Sequence, residues 1–219
     1  MVVREKFEQE LSELKDKILE MEKLASKAME NAYEALIEQN VDLALKVFED
    51  DKKLDKLEEE IDDLAILMIA KQQPVASDLR HIISAIKIST ELERVGDYAK
   101  NIAKSAIRLA KEDQKFNHLD VEQMHVTCRE MLALFKQAYI EDSINTAKDL
   151  AEMDDQVDKR YGQVIASILA TSSPDNGNSN QRSQLLFIVR HYERIGDHIT
   201  NMAEAVIYMI KGRHYHLNE

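Results

Sequence analysis

Apolar residues along this chain recur at alternating steps of four and three. Ile88, Leu92, Val95, Ala99, Ile102, Ala106 and Leu109 make one such seam, and Ile188, Tyr192, Ile195, Ile199, Met202, Val206 and Met209 make another of the same form. A helix of about 3.6 residues per turn places such positions on one face, so each seam predicts a bundle helix with one buried side. Upstream of each lies a second seam: Leu54, Leu57, Ile61, Leu64 and Met68, then, less regularly, Leu150, Met153, Val157, Val164 and Ile168. Apolar runs around Leu11 to Ile37 and around Val121 to Ile140 mark a helix at the start of each unit. The pattern predicts six helices: Lys6 to Gln39, Val41 to Lys71, Ser77 to Leu109, Leu119 to Ile140, Ile144 to Leu169 and Gln181 to Lys211. Asn40, Ser77 and Ser143 are expected to cap the second, third and fifth helices, and Gly212 to stop the last.

Five Gly and two Pro among 219 residues are too few to build the turns of a strand-rich fold, which leaves long helices. These breakers are also ordered. Pro74 and Pro174 lie 100 positions apart, as do Gly96 and Gly196, and the same shift aligns ERVGDYAKNIA (Glu93 to Ala103) with ERIGDHITNMA (Glu193 to Ala203). The chain is therefore read as an internal duplication. The expected fold is all-α: two tandem antiparallel three-helix bundles, residues 1–110 and 119–212, with a tail at 213–219. Each unit is large enough for its own core. Residues 110–118 join the units, and TSSPDNGNSN at 171–180 is the one polar, Gly/Pro/Asn-rich loop.

Charge and composition narrow the partners. A net charge of -12 with no basic patch argues against nucleic acid. Cys128, the single cysteine, rules out an internal disulfide and suits a reducing cytosol. The opening MVVREKFEQE is charged early and has no apolar run after it, so it is not expected to act as a secretory signal. Ala65 to Ala70 and Ala205 to Ile210 fall far short of the roughly 20 residues a spanning helix needs. The expectation is a soluble, cytoplasmic protein without direct membrane insertion, able to sit on a membrane partner.

The acidic residues call for an explanation. Glu93 and Asp97 sit four apart on one helix, as do Glu193 and Asp197, and a Gly lies within each pair. Like charges at that spacing and an internal Gly both weaken a helix, and the chain accepts both twice. The acids fall roughly opposite the Leu92/Val95/Ala99 seam and are expected to lie outside the core; Gly96 would let a ligand or another backbone approach. The preceding helices carry Asp51 with Asp55 and Asp154 with Asp158. Asp55 and Glu93 each stand 19 positions from Pro74, and Asp51 and Asp97 each stand 23, so the two pairs are level in an antiparallel hairpin. In the second unit the midpoint of the four acids again falls in the Pro174 loop. Each bundle is expected to present an acidic tetrad.

Such tetrads repel unless they protonate, meet cations or bind metal. Oxygen donors favour hard cations such as magnesium, manganese, calcium or ferric iron. His191 and His198 lie near the second set, but Glu91 and Tyr98 occupy the matching positions in the first, so histidine is not a shared ligand. Ordinary ion pairs are the competing reading: Arg94 and Lys100 are each three residues from Asp97, Arg194 is three from Asp197, and Arg190 is three from Glu193. Two further readings stay open, a carboxylate-bridged metalloenzyme and a structural helical adaptor without metal.

Other candidates are weaker. Glu122 and His125 form a single Glu-x-x-His, read as a surface helix face because a di-iron site needs that motif twice. His214 and His216 belong to a tail expected to fray. Met21, Met29, Met124 and Met131 read as core filler, and Cys128 as packed. No phosphate loop or nucleophile triad is visible, and no catalytic residue is assigned.

The doubled E-R-V/I-G-D-x-x-x-N-I/M-A, the D-x-x-x-D pairs before it and QQPVASDLRHIISAIKISTELERVGD at Gln72 to Asp97 resemble the PhoU family of phosphate-uptake regulators over nearly the whole chain. The resemblance implies two three-helix bundles in a cytoplasmic, homodimeric, non-enzymatic adaptor. It also implies negative regulation of phosphate uptake and of the starvation response, through the phosphate transporter's ATPase subunit and a sensor histidine kinase, at the inner face of the membrane. Metal clusters of iron, zinc, magnesium or manganese are implied on Asp51, Asp55, Glu93, Asp97, Asp154, Asp158, Glu193 and Asp197, with Asn101 and Asn201 as supporting ligands. The second unit departs from the first in its loop, TSSPDNGNSNQRS against QQPVASDLR; if that stretch of the first unit contacts the transporter, the halves need not be equivalent.

Overall fold

The computed structural model describes residues 2–111, 119–170 and 179–217. They form six helices: α1 (Val2–Glu38), α2 (Val41–Gln72), α3 (Ala76–Leu109), α4 (Leu119–Glu141), α5 (Ile144–Ala170) and α6 (Ser179–Lys211). No strand occurs among the described residues. The apolar seams bounded every helix closely, because each seam ends where the chain must turn. The Pro174 turn, most of the 171–180 loop and residues 112–118 of the join lie outside the described residues.

The turns show how so few glycines suffice. Gln39, Gln73 and Asp142 all take positive φ (53°, 45° and 51°), the left-handed conformation that usually falls to Gly. At the α1–α2 turn the Asn40 N–H donates to Ala35 O at 3.0 Å, and at the α4–α5 turn the Ser143 N–H donates to Ala138 O at 3.0 Å. Both close the same end-of-helix ring. Asn40 Oδ1 then accepts from the Leu43 N–H at 3.0 Å, and Ser143 Oγ from Thr146 N–H at 3.3 Å, so both cap the next helix as expected. Ser77 does not. α3 begins one residue earlier, and Val75 stands at the cap position without a side-chain hydrogen bond. Gly212 stops α6 at φ 67°, its N–H donating to Tyr208 O at 2.8 Å.

Helices α1–α3 pack together, as do α4–α6, and the seams on α3 and α6 are buried throughout. The two bundles do not keep separate cores. The α3–α6 pairing is the most extensive in the molecule, and one hydrophobic cluster runs through both bundles. The central helices bury a second stripe of small residues, including Ser84, Ala103, Ala203 and Ala205, which lets backbones approach. Ser84 Oγ donates to Ala205 O at 3.2 Å, and Arg80 Nε to Met209 O at 3.3 Å. The α1–α4 edge of the seam is polar: Lys136 Nζ meets the buried Glu22 at 3.0 Å.

Two expectations are corrected here. His125 is buried, not on a surface face: it stacks on Tyr33 with ring centroids 4.1 Å apart and places Nε2 3.1 Å from Glu30. α1 covers that side of α4, so its partner is Glu30 rather than Glu122. The tail as far as Leu217 is also docked rather than frayed. His214 stacks on Tyr208 at 4.5 Å, and the Leu217 N–H donates to Glu204 at 2.8 Å. Cys128 and the four named methionines are buried, as read.

Candidate functional site

The duplicated Gly-centred segments lie on α3 and α6, against α2 and α5. A Cβ at Gly96 would overlap Leu54 Cδ1, and one at Gly196 would lie 2.5 Å from Asp154 Oδ1. The glycines therefore admit side chains of the neighbouring helix, which is why α2 and α5 settle close enough to cover the acids. Glu93, Asp97, Glu193 and Asp197 are half-buried rather than facing open solvent. Asp51 and Asp154 are buried outright, at 7% and 4% exposed, while Asp55 and Asp158 stand at the exposed edge.

The level placement of the pairs holds. In the first half Lys100 Nζ bridges Asp51 on α2 and Asp97 on α3, the latter at 2.7 Å. Burial works against its charge, but the bonds to Asp51 and Asp97 outweigh that and hold the ammonium above its ordinary range. Burial also raises the Asp51 carboxyl against the pull of Lys100. Glu93 is pushed up to about 7, by burial first and by Asp97 next, with Arg94 opposing and Glu58 and Asp55 adding repulsion. Arg94 lies 3.1 Å from Asp97 and 3.2 Å from Glu93.

The second half repeats the arginine but not the lysine. Arg194 lies 2.7 Å from Asp197 and 3.3 Å from Glu193, with Arg190 3.9 Å from Glu193. Thr200 stands where Lys100 stood, fully buried, and its Oγ1 has no hydrogen-bond partner. Asp154 Oδ1 is likewise buried and without one. Burial first, then Asp158 and Asp197, push Asp154 up to about 7; the nearby Thr200 hydroxyl opposes this without completing a hydrogen bond of normal geometry. Asp158 and Glu193 are raised by burial and by Asp197, with Arg194 opposing.

All four ion pairs of the competing reading are thus formed. Among the described residues no three His, Cys, Asp or Glu side chains converge tightly enough to hold a metal ion. By donor chemistry the first tetrad already contains a cation, so a metal does not fit there. The second offers hard oxygens, with Asp154 Oδ1, Glu193 Oε2 and Thr200 Oγ1 buried and without hydrogen-bond partners, as Glu93 Oε2 is in the first, and donors of this kind suit a hard cation. The histidines lie elsewhere: His198 Nδ1 is 2.5 Å from Glu91 on α3, and Tyr98 packs against both His191 and His198, with centroids 5.7 and 5.4 Å apart. Asn201 donates to Glu91 at 3.2 Å and so serves the seam between bundles. Sequence spacing showed Lys100 near Asp97 but not its reach to Asp51, and gave no signal for Thr200.

Comparison with known proteins agrees with the duplication. The PhoU domain family matches residues 18–106 and 121–206. A Clostridium acetobutylicum protein named phosphate-specific transport system accessory protein PhoU homolog is 36% identical over 219 residues, the full length of both chains. One of the same name from Aquifex aeolicus is 40% identical over 98% of each chain. The crystal structure of PhoU from Pseudomonas aeruginosa superimposes with a TM-score of 0.90 at 32% identity, covering 94% of this chain and 100% of that one. With two matched domains laid over two helical bundles that repeat one acidic motif, the chain belongs to the PhoU family.

Proposed function

We propose that this chain is a non-enzymatic accessory protein of a phosphate transport system that restrains phosphate uptake and the starvation response. The observation that carries the reading is the agreement, end to end, with proteins named as phosphate-specific transport accessory proteins. In the proposal it works at the cytoplasmic face as a homodimeric adaptor between the transporter's ATPase subunit and a sensor histidine kinase. No helix among the described residues is long and apolar enough to cross a membrane, which suits a protein that docks rather than inserts. Of the family's candidate holders, those of the second half, Asp154, Asp158, Glu193 and Asp197, are the ones a hard cation would use, adding positive charge beside the buried Asp154, with iron, manganese, magnesium and zinc as candidate metals. The chain's own part is to keep Asp154 at a helix contact where a cation could anchor α5 to α6.

A deletion strain tests the role. The expected result is alkaline phosphatase activity that stays high in phosphate-rich medium and returns to its repressed level on complementation. Normal repression in the deletion strain would refute regulation. Failure of the purified chain to retain the transporter's ATPase subunit would refute the adaptor mechanism.

A further inference from the structure

The bundles meet along two edges. α3 on α6 is broad, with the shared hydrophobic cluster running through it, whereas α1 on α4 is the least extensive helix pairing among the described residues and is linked by polar groups. Lys15 Nζ donates to Ile140 O at 3.2 Å, Lys136 Nζ lies 3.0 Å from Glu22, and His125 Nε2 lies 3.1 Å from Glu30. Of these side chains only histidine ordinarily changes charge between about pH 5 and about pH 8. His125 is 1% exposed and joins three helices: from α4 it stacks on Tyr33 of α1 at 4.1 Å, and its Nδ1 lies 3.3 Å from the hydroxyl of Tyr192 on α6, which is wholly buried. Its hydrogen bonds fix which nitrogen holds the proton. The Glu30 carboxylate only accepts, so Nε2 carries the hydrogen; Nδ1 keeps a lone pair, and the Tyr192 hydroxyl donates to it.

We propose that Glu30, His125 and Tyr192 form a proton-operated latch: neutral His125 clasps α1 and α6 to α4, and a proton on Nδ1 releases the α1–α4 edge while the α3–α6 seam holds. With His125 neutral, both ring nitrogens and the Tyr192 hydroxyl hydrogen are satisfied. A second ring proton would face that same hydroxyl. Tyr192 would then have to reverse and accept, and its own buried proton has no other partner among the described residues. Charge acts on the ring as well. Burial is the largest influence and holds the ring below its ordinary 6.5; Glu30 favours the imidazolium, Arg129 opposes it and Glu122 favours it, while Tyr33 of α1 and Tyr192 of α6 face it uncharged. Opening the edge returns water to the ring, and with it the ordinary value. The closed edge is therefore at full strength above pH 6.5 and weakens as pH falls towards the closed state's lower value. The latch depends neither on the adaptor reading nor on any metal.

The test is hydrogen exchange read by mass spectrometry on the full chain at about pH 7.5 and about pH 5.5, corrected for the intrinsic pH dependence of exchange, with the His125 ring followed by nitrogen NMR. A neutral ring protonated on Nε2 is expected at the higher pH. One unit below 6.5 the open form gains up to about tenfold over an unprotonated closed form, so exchange in residues 25–36 and 121–132 is expected to quicken severalfold, while the helix contact at Ser84 and Ala205 stays protected. His125→Phe with Tyr192→Phe keeps two packed rings, removes the titrating group and is expected to abolish the response. If that pair fails to fold, Glu30→Gln decides: it removes the counter-ion at the half-exposed end of the latch and is expected to lower the His125 pKa further. The inference is overturned by a His125 already protonated at the higher pH, by edge exchange that is the same at both pH values, by a response that survives in the folded double variant, or by a His125 pKa that Glu30→Gln leaves unchanged or raises.

Discussion

Asp154 is the group on which the electrostatics of the second half turn, and replacing its charge in the metal-free protein measures what that charge costs. Asp154→Asn keeps the shape and removes the ionisable group. The folded carboxyl titrates at about 7 against an ordinary 3.8, held up by burial and then by Asp158 and Asp197. At roughly 1.4 kcal/mol per pH unit, that gap is on the order of 4 kcal/mol, and solvent at the rim of the tetrad reduces the expected effect to about 2 kcal/mol. Between pH 4 and about 7 the folded wild type binds more protons here than the unfolded chain, so this group makes stability fall as pH rises. Above that window its contribution is flat. Urea unfolding in EDTA, followed by far-ultraviolet circular dichroism, is therefore expected to find Asp154→Asn more stable than wild type by about 2 kcal/mol at pH 8, the difference shrinking towards zero by pH 4. No difference at pH 8, or one that widens on acidification, would refute the account of Asp154 as a buried and uncompensated carboxylate.

Other outcomes follow from packing. Gly162 lies exposed in α5 with nothing within 4 Å of an added Cβ, so Gly162→Ala is expected to stabilise the chain by about 0.5–1 kcal/mol in the same denaturation assay. Gly96→Ala gains the same helix preference but overlaps the buried Leu54, and a net loss of about 1–2 kcal/mol is expected; equal stabilisation by both substitutions would sink the close-contact argument. Cys128 is fully buried, and burial holds its thiol well above the ordinary range. It should resist a thiol-reactive disulfide reagent in the native protein at pH 8 and react fully in denaturant, whereas rapid native labelling would contradict the packing.

Much of this was readable from residue order. The seam periods bounded six helices, and the shift of 100 positions between Gly96 and Gly196 exposed the duplication. Counting from Pro74 placed Asp51 level with Asp97, and Lys100 does join them across α2 and α3. The errors have a common cause. Periodicity reports the stronger apolar face of a helix, whereas α3 and α6 sit at the centre of the molecule and bury two faces, so the acids opposite the main seam are partly covered and the two cores merge. His125 was misplaced for the same reason, since nothing local to α4 announces that α1 lies over it.

What residue order determined by itself was therefore the helical class, the repeat, the family and the eight acids at matched heights. Only the tertiary structure decided which of those acids are buried, which are already neutralised, and by what. Lys100 follows Asp97 by three positions whatever the fold, but its role comes from α2 bringing Asp51 within reach. Thr200 looks unremarkable in the chain and becomes significant only because α5 sets a buried carboxylate near it without supplying a countercharge. Charge compensation depends on distances between helices and on the removal of water, and neither is a property of residue spacing along one chain.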